Sequence, residues 1–178
     1  MSKSLNYKGC WMVLGPAWSG KTAFVVDSFK DHPKISWIGT GLLESPEMSE
    51  HISSLKKLRP SSWKQFDESS NLIELLRAQS SEKEPLIIDS VSQWIVNEIY
   101  LNSTRYDRAQ RIHRARDLVD ELCEQILLQS KARNLVIVSA EMGASVPPEE
   151  PLAYDIRRIV GEANQKLAFC SSRVTYVH

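Results

Sequence analysis

Gly15-Pro16-Ala17-Trp18-Ser19-Gly20-Lys21-Thr22 fits the pattern G-x-x-x-x-G-K-[ST] at every fixed position. It follows an apolar run, Cys10 to Leu14, and opens a segment of helical period, so it reads as strand, loop and helix. In that setting the glycines let successive backbone N–H groups curl around an anion, and the helix N-terminus adds its positive dipole end. Gly15 to Thr22 are therefore expected to cradle the phosphates of a nucleotide. Lys21 is expected to neutralise the β and γ phosphates, and the Thr22 hydroxyl to ligate the Mg2+ that comes with them. A glycine-bounded turn that only caps a helix is the alternative.

Such a loop needs a carboxylate at the end of a neighbouring strand. Pro85-Leu86-Ile87-Ile88-Asp89-Ser90 supplies an apolar run ending in Asp89, a second candidate ligand for Mg2+. Aspartate is also a favoured helix N-cap, so Asp89 has a structural reading as the cap of the helix after Ser90. Further short runs rich in Val and Ile stand at Ile35 to Ile38, Leu135 to Val138 and Val174 to Val177. Runs apolar on both faces are how buried strands of a mostly parallel sheet read. Helical patterns follow Gly20, Ser45, Ser69, Ser90, Tyr106 and Pro151. The clearest runs from about Asp107 to Ser130, with Ile112, Ala115, Val119, Leu122 and Ile126 spaced to pack on a sheet. The fold expected is α/β: a three-layer, P-loop NTPase-like arrangement around a mostly parallel sheet, with residues 1–178 as a single nucleotide-binding domain.

Composition agrees with that class. The 178 residues carry 22 basic and 22 acidic side chains, with 42% hydrophobic residues, enough to bury a core without disulfide or metal. Balanced charge argues against nucleic acid as a partner. No apolar stretch approaches the length of a membrane span or a signal-peptide core, and the 3 cysteines, Cys10, Cys123 and Cys170, never stand in a Cys-x-x-Cys spacing. A reducing, cytoplasmic location is the expectation.

From Cys10 to Val177 the chain resembles the bifunctional cobinamide kinase and cobinamide-phosphate guanylyltransferase family of vitamin B12 synthesis. The matching segments fall in family order: Gly15 to Thr22, Ile38-Gly39-Thr40, Glu47-Met48, Arg59-Pro60 with Trp63, and Asp89 with Ser92, Trp94 and Asn97. Val138-Ser139, Glu141 with Gly143, Pro148, Leu152-Ala153, Gly161 and Asn164-Gln165-Lys166-Leu167-Ala168 complete the series. The resemblance implies use of ATP or GTP, a homotrimer and two reactions on a corrinoid substrate. The first phosphorylates the aminopropanol hydroxyl of adenosylcobinamide. The second transfers a guanylyl group from GTP through a covalent histidine.

That histidine belongs to a pattern resembling E-M-x-x-R-I-x-x-H-R-x-x-R-P, which here reads Glu47 to Pro60 with Leu55 at the nucleophile position. Leucine has no lone pair to offer, and His51, one helical turn earlier, stands where the family has arginine. Trp18 replaces a loop arginine, Ser45 an acidic residue, Ala140 an asparagine and Tyr154 an arginine, while Arg158 and Glu162 look like a family ion pair exchanged in place. The expectation is a cobinamide kinase-like phosphotransferase whose guanylyl step is lost. A non-catalytic nucleotide-binding or assembly protein is the other reading. Lys21, Asp89 and Glu141 are the catalytic candidates, with Glu141 read equally as a cap or surface carboxylate. Arg59, and less so Lys56 and Lys57, are candidates for contact with GTP or corrinoid phosphate. Arg105, Arg108, Arg111, Arg114 and Arg116 are read as a solvated face, a subunit contact or an anion site, and Trp63 and Trp94 as packing residues.

Overall fold

The computed structural model describes residues 9–42 and 46–178, with the side chains of 46–48 and 51 outside that description. Ser45 and the side chains of Glu47, Met48 and His51 thus lie outside the described residues. The sheet has six strands in the order β3-β2-β4-β5-β1-β6, and every pairing is parallel. In chain order these are β1 (Gly9–Gly15), β2 (Ser36–Gly39), β3 (Lys64–Asp67), β4 (Leu86–Asp89), β5 (Asn134–Ala140) and β6 (Arg173–Tyr176). The helices are α1 (Lys21–Phe29), α2 (Pro46–Lys57), α3 (Leu72–Ala78), α4 (Val91–Leu101), α5 (Arg108–Gln129) and α6 (Pro151–Cys170).

The side-chain alternation of the strands divides the core in two. Cys10, Met12, Leu86, Ile88, Leu135 and Ile137 face one way and meet α3, α4, α5 and α6. Trp11, Val13, Ile87, Val136 and Val138 face the other way and meet Val25, Val26 and Phe29 of α1. The strands are buried on both sides because helices cover both sides, which is the physical content of their continuous apolar runs. α5 starts where its capping box says it should. Asp107 accepts from Gln110 N at 2.9 Å, and the Gln110 side chain accepts from Asp107 N at 3.1 Å.

β3 is the element the apolar runs did not announce. Lys64, Gln65 and Asp67 are exposed on this edge strand and only Phe66 is partly buried, so no hydrophobic run marks it. Among the described residues no helix is long and apolar enough to cross a membrane.

The arginines at the front of α5 turn inward to neighbours. Arg108 forms a two-pronged pair with Asp155 at 2.7 and 2.8 Å, and Arg116 does the same with Glu162 at 2.8 Å. Arg111 donates to the carbonyls of Ser103 and Tyr106, and Arg114 lies 3.7 Å from Glu98. Glu162 is thus held chiefly by Arg116, with Arg158 at 3.9 Å as a looser second partner.

A P-loop cleft at the carboxyl ends of the strands

β1 sends its chain to α1 on one face, whereas its neighbour β5 sends its chain to α6 on the other. The crevice at the carboxyl ends of two such strands is where open parallel sheets bind ligands. A cleft of about 390 Å³ lies there.

Each glycine of the loop has its own reason. A Cβ on Gly15 would fall 2.1 Å from the Val177 carbonyl oxygen, so the chain leaving β6 excludes any side chain there. Gly20 has φ +81°, the left-handed region, immediately before α1. Trp18 shares that region at φ 63° without glycine's freedom, and its indole is 84% exposed at the cleft.

Ala17, Trp18, Gly20, Lys21 and Thr22 line the cleft on the loop side, with Arg59 and Asp89 on the sheet side. Gly15, Pro16 and Ser19 complete the loop behind them. Lys21 Nζ donates to the Pro16 carbonyl at 2.5 Å; burial pushes its ammonium down, and Asp89 partly offsets the shift. Thr22 Oγ1 donates to Asp89 Oδ2 at 2.9 Å across the end of β5.

Asp89 is not the cap of α4. Ser90 takes that role, accepting from Gln93 N at 3.2 Å, which leaves the Asp89 carboxylate to the cleft. Thr40 holds the backbone on both sides of it. Its N–H donates to Asp89 O at 3.0 Å, its hydroxyl donates to Ser90 O at 2.7 Å, and that hydroxyl accepts from Ser90 N at 3.0 Å. Fully buried Asn97 then donates to the carbonyls of Thr40 and Ser69 at 2.8 and 2.9 Å.

Arg59 is buried, with its guanidinium over the Trp37 ring at 4.3 Å and Nη1 donating to Gln65 at 3.1 Å. Burial pushes its pKa down, and Asp89 and Asp67 hold it up. Trp63 stacks on Trp37 and Trp94 is 1% exposed, so both serve packing. Glu141 is not part of the cleft wall. Its carboxylate accepts from the backbone N–H of Gly143 and of Ala144, capping its own loop.

Leu55 of α2 lines the cleft beside Ile52, and Trp18 and Ala140 line it too. Three departures from the family pattern therefore meet in one place. Tyr154, on α6, is 46% exposed and outside the lining.

Magnesium suits the Thr22–Asp89 pair, since both offer hard oxygen ligands. Among the described residues no group of three or more His, Cys, Asp or Glu could hold a metal ion. A cation here would have to draw its remaining ligands from phosphate and water.

A left-handed glycine leading into a helix, with a threonine that reaches across β5 to the aspartate at the end of β4, defines a P-loop protein of the α/β class. The chain belongs to the cobinamide kinase / cobinamide phosphate guanyltransferase family, whose model matches residues 11–178. It is 28% identical over 171 residues to the bifunctional adenosylcobalamin biosynthesis protein CobU of Salmonella typhimurium, covering 93% of each chain. Against CobU of Escherichia coli the identity is 26% over 169 residues, again 93% of each chain. Against the bifunctional adenosylcobalamin biosynthesis protein CobP of Pseudomonas aeruginosa it is 27% over 169 residues, 93% of this chain and 90% of that one.

Asp67, which no sequence motif marks, lines the cleft at the end of β3. Only the parallel register, which sets Asp67 level with Gly39 and Asp89, brings it there.

Proposed function

We propose that this protein acts in cobalamin biosynthesis as a nucleotide-dependent kinase that phosphorylates the aminopropanol hydroxyl of cobinamide, and that it does not carry out the guanylyl step. The observation that supports the reading most is the 2.9 Å hydrogen bond between Thr22 and Asp89 in a cleft that also holds Lys21 and Arg59. Phosphoryl transfer asks a protein mainly for positioning and charge neutralisation, and these residues supply both. Amides of the loop and the α1 N-terminus bind the phosphates of ATP or GTP, and Lys21 neutralises the β and γ groups. Thr22 and Asp89 would hold the Mg2+, which when bound screens the charge on the phosphates. Arg59, preset on Trp37, presents a second cation from the opposite wall.

The guanylyl step needs a nucleophile in the cleft, and the position that would carry it is Leu55. A cytoplasmic homotrimer is the assembly that goes with this reading. Glu141, engaged by its own loop, is assigned to loop structure in this scheme.

The test is transfer of label from γ-labelled ATP or GTP to cobinamide. Labelled cobinamide phosphate should form with wild-type protein and be absent with Lys21→Ala. The apolar wall of Leu55, Ala140 and exposed Trp18 favours a second reading, a nucleotide-binding protein without catalysis. Nucleotide-dependent stabilisation with no labelled product would establish that reading instead.

A further inference from the structure

The Gly39 position has a carboxylate on each side. Asp67 and Asp89 are its register partners on β3 and β4, so all three Cβ directions lie on one face of the sheet. With strands about 4.8 Å apart, the two aspartates stand about 9.5 Å from each other across a residue that has no side chain. Asp67 Oδ2 accepts from Lys56 Nζ at 2.5 Å, while Oδ1 lies 3.6 Å from where a Cβ on Gly39 would be. The gap over Gly39 is thus bordered by Asp67 Oδ1 and by Arg59 Nη1, 4.0 Å from the same point. Arg59 is 9% exposed, and its Nε is buried without a hydrogen-bond partner among the described residues.

A hydroxyl that attacks a phosphoryl group must give up its proton, and a carboxylate within reach is the usual acceptor in kinases. Among the described residues that line the cleft, Asp67 and Asp89 are the carboxylates, and there is no histidine. Asp89 is bonded to Thr22, and Glu141 faces its own loop.

We infer that Asp67 is a catalytic residue of the phosphoryl transfer, binding the acceptor alcohol through its hydroxyl and taking that proton. This rests on the kinase reading above. As the hydroxyl oxygen bonds to the γ-phosphorus, the bond from that phosphorus to the β,γ-bridging oxygen breaks. The nucleoside diphosphate departs with the electron pair, and the proton passes to Asp67 Oδ1. Lys56, bonded to the other oxygen, fixes the carboxylate's orientation and leaves Oδ1 to the cleft.

Steady-state kinetics with magnesium-ATP and cobinamide test this in Asp67→Asn and Asp67→Glu. The expected result is a fall of about 10²- to 10⁴-fold in kcat for Asp67→Asn, partial recovery in Asp67→Glu, and an unchanged nucleotide KM and nucleotide-induced thermal shift. A kcat for Asp67→Asn within about threefold of wild type overturns the assignment and leaves the kinase reading intact. So does a loss matched by equal weakening of nucleotide binding, which would make Asp67 part of the nucleotide site. Absence of product with wild type overturns the kinase reading and the inference together.

Discussion

Thr22 and Asp89, 67 positions apart in the chain, are joined by a hydrogen bond of 2.9 Å between hydroxyl and carboxylate. The bond spans the end of β5, where Val138 and Ala140 form a floor without polar side chains. Two oxygen ligands of the kind a hard cation prefers are therefore held together by the fold itself. Thr40 and Asn97 brace the backbone on which Asp89 sits.

Magnesium-nucleotide should stabilise the folded protein through this pair and Lys21. At about a hundred times its Kd a ligand adds about 2.7 kcal/mol, which for a domain of this size raises Tm by about 5–10 °C. Differential scanning fluorimetry should show that rise in wild type and not in Lys21→Ala. In Asp89→Ala the part of the rise that depends on magnesium should disappear. Equal shifts in all three proteins would place the nucleotide elsewhere.

Leu55 sits in the cleft wall where a nucleophile would be needed, so wild type should take up no label from GTP labelled at the α-phosphate. Leu55→His should gain acid-labile, base-stable label. Label on wild type that vanishes in His51→Ala would show that a neighbour one turn away has taken over the chemistry.

β3, which carries Asp67, is tied to the segment before β4 by Lys64, whose Nζ lies 2.8 Å from Glu84 Oε1. The Lys64 ammonium, hydrogen-bonded to Glu84, holds that carboxyl at about 2, well below its ordinary 4.5. A folded-state value below the unfolded one means stability that is fully present above about pH 4.5 and lost as pH falls towards 2. The Tm difference between wild type and Glu84→Gln should therefore be largest near neutral pH and close between pH 4.5 and 2. Lys64 is 56% exposed, so added salt should shrink the difference as well. A constant difference across that range would contradict the assignment.

The sheet was readable where burial dominates. The runs at Cys10 to Leu14 and Leu135 to Val138 are apolar because helices cover both their faces, and the stripe from Ile112 to Ile126 packs against that same sheet. β3 was silent because an edge strand ending in a functional carboxylate has little to bury. The phosphate loop was readable because its glycine and lysine positions are local, although Gly15 turns out to be demanded by Val177. The direction of the Glu141 side chain was not readable, since two backbone N–H groups, at Gly143 and Ala144, compete for it over a turn that only the fold defines. Arg108 and Arg116 of α5 likewise found partners on α6, a pairing that depends on how two helices dock.

Asn97 supports the site from beneath. Replacing it by alanine leaves the Thr40 and Ser69 carbonyls without their donor in a buried setting. Urea unfolding of Asn97→Ala should show a loss of about 1–3 kcal/mol, with kinase activity falling because the backbone around Asp89 loosens. A stability within about 0.5 kcal/mol of wild type would mean that the network is not under tension at that point.

The most direct test of the account is the mass of the corrinoid after cobinamide is incubated with the protein, magnesium, ATP and GTP together. A product that has gained a single phosphate, and goes no further on prolonged incubation, is the expected result. Conversion onward to the guanosine diphosphate derivative, or return of cobinamide unchanged, would contradict it.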